Sequence, residues 1–162
     1  MTNDTMIATI TIPAPAETVF DILADPTTHP AIDGTGWLRE ALDREPVTAA
    51  GQIFRVAMYH DNHPAKNYEV ANKVVVCDRP HAIAWQPGQD AAGDGNLSFG
   101  GWIWRYDVRS AGSADADVTL TYDWSAVAPE LREHIPFPPF DPTHLENSLK
   151  HLSDLATAQA TV

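Results

Sequence analysis

The apolar positions along this chain follow two periods, and their order predicts the architecture. "MIATITI", Met6 to Ile12, is rich in β-branched residues and predicts a strand. Over "PAPAETVFDILADP" the period changes. Val19, Phe20 and Leu23 form a helical stripe, Pro15 suits the first turn, Glu17 favours the positive helix end, and Pro26 stops the run. A short second helix or turn is expected over 27–32, before the breaker cluster "DGTG" at 33–36. Strands are expected near 37–44, 52–60, 66–77, 82–87, 101–109 and 117–125, with polar turns "DNHP", "DRPH" and "SAGSADAD" among their connections. Such close spacing predicts antiparallel pairing. Segment 126–140 holds four prolines and cannot be one regular element. A long helix then opens with Asp141 as N-cap and Pro142 at its first position, carrying Leu145, Leu149, Leu152, Leu155, Ala156 and Ala160 on one stripe.

This order predicts an α+β fold in one domain spanning 1–162. A curved antiparallel sheet of six or seven strands wraps around the long C-terminal helix, with two short helices after the first strand. Two-residue alternation then assigns faces. In "GGWIWRYDV", Trp102, Trp104, Tyr106 and Val108 share one face. Val118, Leu120, Tyr122 and Trp124 form a second inward row, and Phe54, Val56, Met58 and His60 a third. Tyr68, Val70, Asn72, Val74 and Val76 make a fourth, and Ile83 with Trp85 a fifth. Each of these residues, taken alone, also reads as ordinary core. As a set they line a half-barrel that, closed by one helix, has more interior than its own side chains fill, and their polar tips suit an internal site for an amphipathic ligand.

Composition narrows the partners. Twenty-two acids against 10 bases give a formal charge of −12, which argues against nucleic acid and against an anionic membrane surface. Composition of 44% hydrophobic and 20% charged residues is that of a globular domain. The N-terminus shows no secretory pattern and no apolar run reaches about 18 residues, so a cytoplasmic protein without membrane insertion is expected. The lone Cys77 lies in a valine run and reads as an inert core thiol.

"ATITIPAPAETVFDILADPTTHPAIDG" resembles the N-terminal signature of the SRPBCC superfamily: strand, Ala-Pro-Ala, and a Val-Phe helix ending in Ala-Asp-Pro. "NYEVANKVVVCDRPHAIAWQPG" is similar to its middle strands, and "VTLTYDWS" to its last strand. The similarity spans about 6–157 and lies nearest the START-like, polyketide cyclase/dehydrase and lipid-transport branch. It implies a helix-grip fold with a cavity between sheet and C-terminal helix. It implies no particular reaction, because no catalytic set is common to the superfamily.

The expected ligand-binding residues are Phe54, Met58, Tyr68, Asn72, Trp85, Trp102, Trp104, Tyr106, Tyr122 and Trp124 from the sheet. Leu145, Ser148, Leu149 and Leu152 are expected from the helix. His29 and Asp33 in "THPAIDG" are a candidate acid–base pair, although a helix-end histidine and a turn aspartate serve the same pattern. His60 and His63 in "HDNH" have a metal-like spacing but no third ligand, so no metal and no cofactor are expected. His144 and His151 share a helix face beside the leucines, from which one reaches the cavity or both flank it. Arg55 and Arg105 alternate outward, leaving no evident inward cation. The segment "VAPELREHIPFPPF" reads either as a gate over the cavity mouth or as a fixed plug. The leading expectation is a monomeric or homodimeric binding or transport protein for a small, largely apolar ligand: a lipid, a sterol-like molecule or a polyketide. A polyketide cyclase or dehydratase-like enzyme and a chaperone-activator-like interaction domain are the alternatives.

Overall fold

The computed structural model describes residues 4–33, 37–60, 66–89, 96–141 and 143–160, with side chains to 158. Their strands are β1 (Thr5–Ile12), β2 (Leu38–Ala41), β3 (Ile53–Tyr59), β4 (Asn67–Asp78), β5 (Ala82–Gln89), β6 (Ser98–Phe99), β7 (Ile103–Ser110) and β8 (Ala116–Asp123). The helices are α1 (Ala16–Leu23), α2 (His29–Ile32), α3 (Pro129–Arg132) and α4 (Thr143–Ala160), and a 3-10 turn over Pro26–Thr28 leads into α2. All pairings are antiparallel, in the order β1-β8-β7-β5-β4-β3-β2, with the two-residue β6 added beside β5. The result is a helix-grip fold: a curved antiparallel sheet holding a long C-terminal helix, with the short helices between β1 and β2.

Helix α1 follows from its sequence. Pro15 occupies the N-cap in an extended conformation, Glu17 lies in the first turn, and Val19, Phe20 and Leu23 are fully buried. At the head of α4 the Asp141 Oδ1 accepts hydrogen bonds from the Thr143 backbone N–H at 3.0 Å and its hydroxyl at 2.9 Å. That is N-cap geometry, and these donors hold the Asp141 carboxyl below its usual range. Pro142 lies outside the described residues. Leu145, Leu149, Leu152 and Ala156 are buried along α4, which packs against β1, α1 and α2.

Strict alternation buries Ala116, Val118, Leu120 and Tyr122 on β8. In β4 the alternation is broken. The register against β5 slips between Val74 and Val76, pairing Val74 with Trp85 but Val76 with Ala84 and Cys77 with Ile83. A bulge inserts one residue and reverses parity beyond it. The inward row therefore continues through Cys77, which packs against the core, and not through Val76 as strict alternation predicted. The half-buried Cys77 is a free thiol.

Gly100 and Gly101 admit the first tryptophan of β7's approach. Gly101 has φ 103° and its Cα faces the Ala126 carbonyl, where a Cβ would lie 2.6 Å from that oxygen. The Trp102 indole lies across Gly100, in the space a side chain there would need. Arg55 and Arg105 are on the outer surface, paired with Asp43 and Asp107 at 3.0 Å each. Among the described residues no helix is long and apolar enough to cross a membrane.

Candidate functional site

Between the inner face of the sheet and the N-terminal half of α4 lies a cavity of about 550 Å³. That is within the range of roughly 300–1,000 Å³ usual for small-molecule sites. Its sheet wall carries Met58 from β3, Tyr68, Val70 and Asn72 from β4, Trp85 and Pro87 from β5, Trp102 just ahead of β7, Trp104 and Tyr106 on β7, and Tyr122 from β8. The helix wall carries His144 and Ser148. Leu23, His29, Ile32 and Asp33 close one end, and residues 134–137 with Pro139 and Phe140 lie along another side. No lysine or arginine lines it among the described residues.

Nine of the fourteen expected ligand-binding residues meet at this wall: Met58, Tyr68, Asn72, Trp85, Trp102, Trp104, Tyr106, Tyr122 and Ser148. The other five, Phe54, Trp124, Leu145, Leu149 and Leu152, are buried in the packed core outside it. Phe54 stands edge-on to His29 and Trp85, at 5.3 and 5.7 Å between ring centres, and so backs the cavity. Trp124 follows the end of β8 and bonds through its backbone to Asp4.

The aromatic groups form a connected surface. Trp104 lies 4.4 Å from Tyr122 and 5.6 Å from Phe140, stacked on the latter, while Phe137 covers Trp102 at 5.9 Å. The proline-rich segment thus has two parts. Its first part is tied down, because Arg132 donates to the carbonyls of Trp124 at 2.8 Å and Val127 at 3.1 Å and pairs with Asp4. Its second part, with Phe137 and Phe140, is packed on the cavity's tryptophans. Trp37, Leu38 and Pro87 also line the cavity, although the alternation of the sequence did not single them out. Trp37 precedes β2 and crosses His60 at 4.4 Å, a placement set by the path of a connection and not by strand parity.

The histidines distribute differently from the sequence pattern. His29 does not pair with Asp33, nor is it an exposed helix end. It is 6% exposed, its Nε2–H donates to the Leu23 carbonyl at 2.8 Å, and its ring stacks on Trp85 at 4.9 Å. Asp33 instead turns toward α4: its Oδ2 accepts from the Leu38 backbone N–H at 2.9 Å, and its Oδ1 lies 4.0 Å from Nε2 of His144. His144 is 7% exposed and wedged edge-to-face between Trp104 and Phe140. Its Nδ1 is enclosed without a hydrogen-bond partner among the described residues. His151 points elsewhere, to the Ile32 carbonyl at 3.1 Å. His60 lines the cavity, His63 lies outside the described residues, and no cluster of three potential metal ligands occurs among those described.

Burial dominates the titration of this site. It pushes the His29 imidazole down, opposed by the Leu23 carbonyl and Asp25, and pushes His144 down against the opposing charge of Asp33. Burial raises the phenols of Tyr106 and Tyr68, helped in both by Asp33, and that of Tyr122. At neutral pH the His29 and His144 imidazoles are neutral, and the Tyr68, Tyr106 and Tyr122 phenols are intact donors. A consequence for stability follows from linkage. The unfolded imidazoles bind protons near pH 6.5 while the folded ones resist, so stability is complete above that value and falls as pH drops below it. Each of His29 and His144 contributes a slope of at most about 1.4 kcal/mol per pH unit. The carboxyls held low by partners, Asp43 and Asp117, act only below about pH 4. Urea midpoints measured at pH 7.5, 6.5 and 5.5 are expected to fall across the series, and a constant midpoint contradicts the burial of neutral imidazoles.

No protein-family profile and no curated protein matches this chain. Solved structures do. Protein Ms6760 from Mycobacterium smegmatis is 16% identical over 96% of this chain and 92% of its own, with a TM-score of 0.67. A point mutant of norcoclaurine synthase from Thalictrum flavum, in complex with a transition-state analogue, is 17% identical over 96% and 95%, with a TM-score of 0.65. Protein CV1439 from Chromobacterium violaceum is 16% identical over 95% and 98%, also at 0.65. These likenesses show a shared fold, the helix-grip fold.

Proposed function

We propose that the protein binds one small, largely apolar ligand, with flat ring systems favoured over acyl chains, in the cavity between sheet and α4. The observation that carries this reading is the lining: four tryptophans, Trp37, Trp85, Trp102 and Trp104, and three tyrosines around about 550 Å³ with no Lys or Arg among the described residues. Indole and phenol faces stack on planar rings, while Asn72, Tyr106 and Tyr122 present polar tips that fix orientation. Among the described residues no side-chain hydrogen bond engages these three groups, although Asn72 and both tyrosines are buried. A polar group that makes no protein bond at a cavity wall is available to a ligand carbonyl or hydroxyl. Polycyclic polyketides fit this chemistry better than long-chain lipids. The resemblance of the N-terminal and middle segments to the polyketide cyclase/dehydrase and lipid-transport branch supports the same class. Segment 133–140 is the proposed entrance cover, since it is bound to the cavity chiefly through Phe137 and Phe140.

The test is a titration with N-phenyl-1-naphthylamine, a neutral apolar fluorophore, following tryptophan emission and backbone hydrogen exchange. Saturable one-to-one quenching is expected, with added protection in 133–140. Non-saturable quenching contradicts binding in the cavity. Protection confined to the strands contradicts the entrance and leaves the segment a plug.

A further inference from the structure

We propose that the cavity is also a proton-transfer site for a neutral, enolisable carbonyl compound, with His144 as the base, Asp33 as its electrostatic partner and Tyr106 as the donor to the oxyanion. The inference rests on the binding reading above and adds a reaction to it. Three placements carry it. His144 is nine-tenths buried, lines the cavity, and has its Nε2 on the side of a carboxylate 4.0 Å away. At 4.0 Å the carboxylate makes no hydrogen bond to Nε2, but it stands within ion-pair range of a proton taken up there. Nδ1 is shut off by the Trp104 and Phe140 rings, so chemistry is directed to one nitrogen.

Other chemistries find less support on the same wall. Among the described lining residues no lysine offers an amine for a Schiff base, and no cation faces a ligand carboxylate or phosphate. Ser148 lies one helical turn beyond His144, but Nδ1 makes no bond to it, so no serine nucleophile is assembled. His29 is committed to the Leu23 carbonyl. The remaining set is a base beside a carboxylate and phenol donors facing the same space, which is what enolisation needs.

The step balances within the site. The α-carbon's C–H bond breaks and its proton passes to Nε2. The C–H pair becomes the new C=C bond, and the carbonyl π pair moves to oxygen, which accepts a hydrogen bond from the Tyr106 hydroxyl. Asp33 stabilises the imidazolium formed. Return of a proton from Nε2 to carbon restores the ketone, so no oxidant or co-reactant is consumed. Burial favours this direction of roles, because it keeps the imidazole unprotonated and the phenol protonated at neutral pH.

The experiment uses the full chain in D2O with 2-tetralone as probe, following deuterium entry at its α-carbons by NMR. Displacement of N-phenyl-1-naphthylamine by the ketone is recorded in parallel. Wild-type protein is expected to displace the dye and accelerate exchange above the buffer rate. His144→Gln is expected to lose roughly 100-fold or more of that acceleration, the size of a general-base contribution. Tyr106→Phe, which keeps the ring in place, is expected to lose roughly 100- to 1,000-fold. Asp33 acts through His144 and is the charge that opposes burial there, so Asp33→Asn is expected to move the inflection of the pH–rate profile to lower pH. Dye binding and ketone displacement without accelerated exchange overturn the proposal and leave the binding reading intact, as does acceleration unchanged in both His144→Gln and Tyr106→Phe. Dye binding without displacement by the ketone overturns the substrate class assigned here. Absence of dye binding overturns both readings together.

Discussion

Leu152→Ala is expected to destabilise the fold by about 2–5 kcal/mol, the span typical of leucine truncation in a packed core. Leu152 is 0% exposed at the middle of α4, within the core cluster formed with β1, α1 and the inner face of the sheet. The cost has two parts: transfer of the lost methyl-bearing carbons, and the void left because a helix pinned at both faces relaxes little. The residue is not on the cavity wall, so at temperatures where the variant is folded its affinity for N-phenyl-1-naphthylamine is expected to stay within about threefold of wild type, or roughly 0.65 kcal/mol. Urea unfolding and dye titration on the same sample check both halves. A loss under about 1 kcal/mol, below the span for such truncations, contradicts its place in the core.

Ser148→Phe is expected to have the opposite signature. Ser148 is 3% exposed on α4, one turn beyond His144, and faces the cavity. A phenyl ring in a filled core costs typically 1–3 kcal/mol of strain, whereas here the ring projects into open cavity volume and its burial offsets part of the cost. Stability is therefore expected to change by less than about 1 kcal/mol. Dye affinity is expected to fall at least 30-fold, roughly 2 kcal/mol, because the ring occupies the ligand's place. A variant that loses stability while keeping its affinity contradicts the position of the cavity.

The pair of substitutions also marks what the sequence makes legible. The inward row of Trp104, Tyr106 and Tyr122 follows from alternation alone, since β7 and β8 are regular and pair without a slip. Alternation fails in β4, where the Val74/Val76 bulge reverses parity, because a bulge is set by the sheet's bending and leaves no period in the residues. The leucines of α4 are legible as a buried stripe, but periodicity does not distinguish a residue touching core from one touching a void. That is why Leu145, Leu149 and Leu152 join the core and Ser148 the cavity. The Asp33–His144 juxtaposition is the clearest case of information absent from local pattern. It depends on α2 delivering Asp33 to the head of α4, a contact between distant parts of the chain, while the nearer His29 is drawn away by the Leu23 carbonyl. Similarly, Phe137 and Phe140 are recognisable as apolar groups needing cover, but only the fold supplies Trp102 and Trp104 as that cover.

The five indole N–H resonances of this protein give the most direct test of the cavity, since Trp37, Trp85, Trp102 and Trp104 line it and Trp124 does not. Each is assigned by a single Trp→Phe substitution and followed by proton–nitrogen NMR during titration with N-phenyl-1-naphthylamine. The four cavity indoles are expected to shift together and saturate at one equivalent, with Trp124 moving least. Shifts led by Trp124, or drifting without saturation in all five, would contradict a ligand site between the sheet and α4.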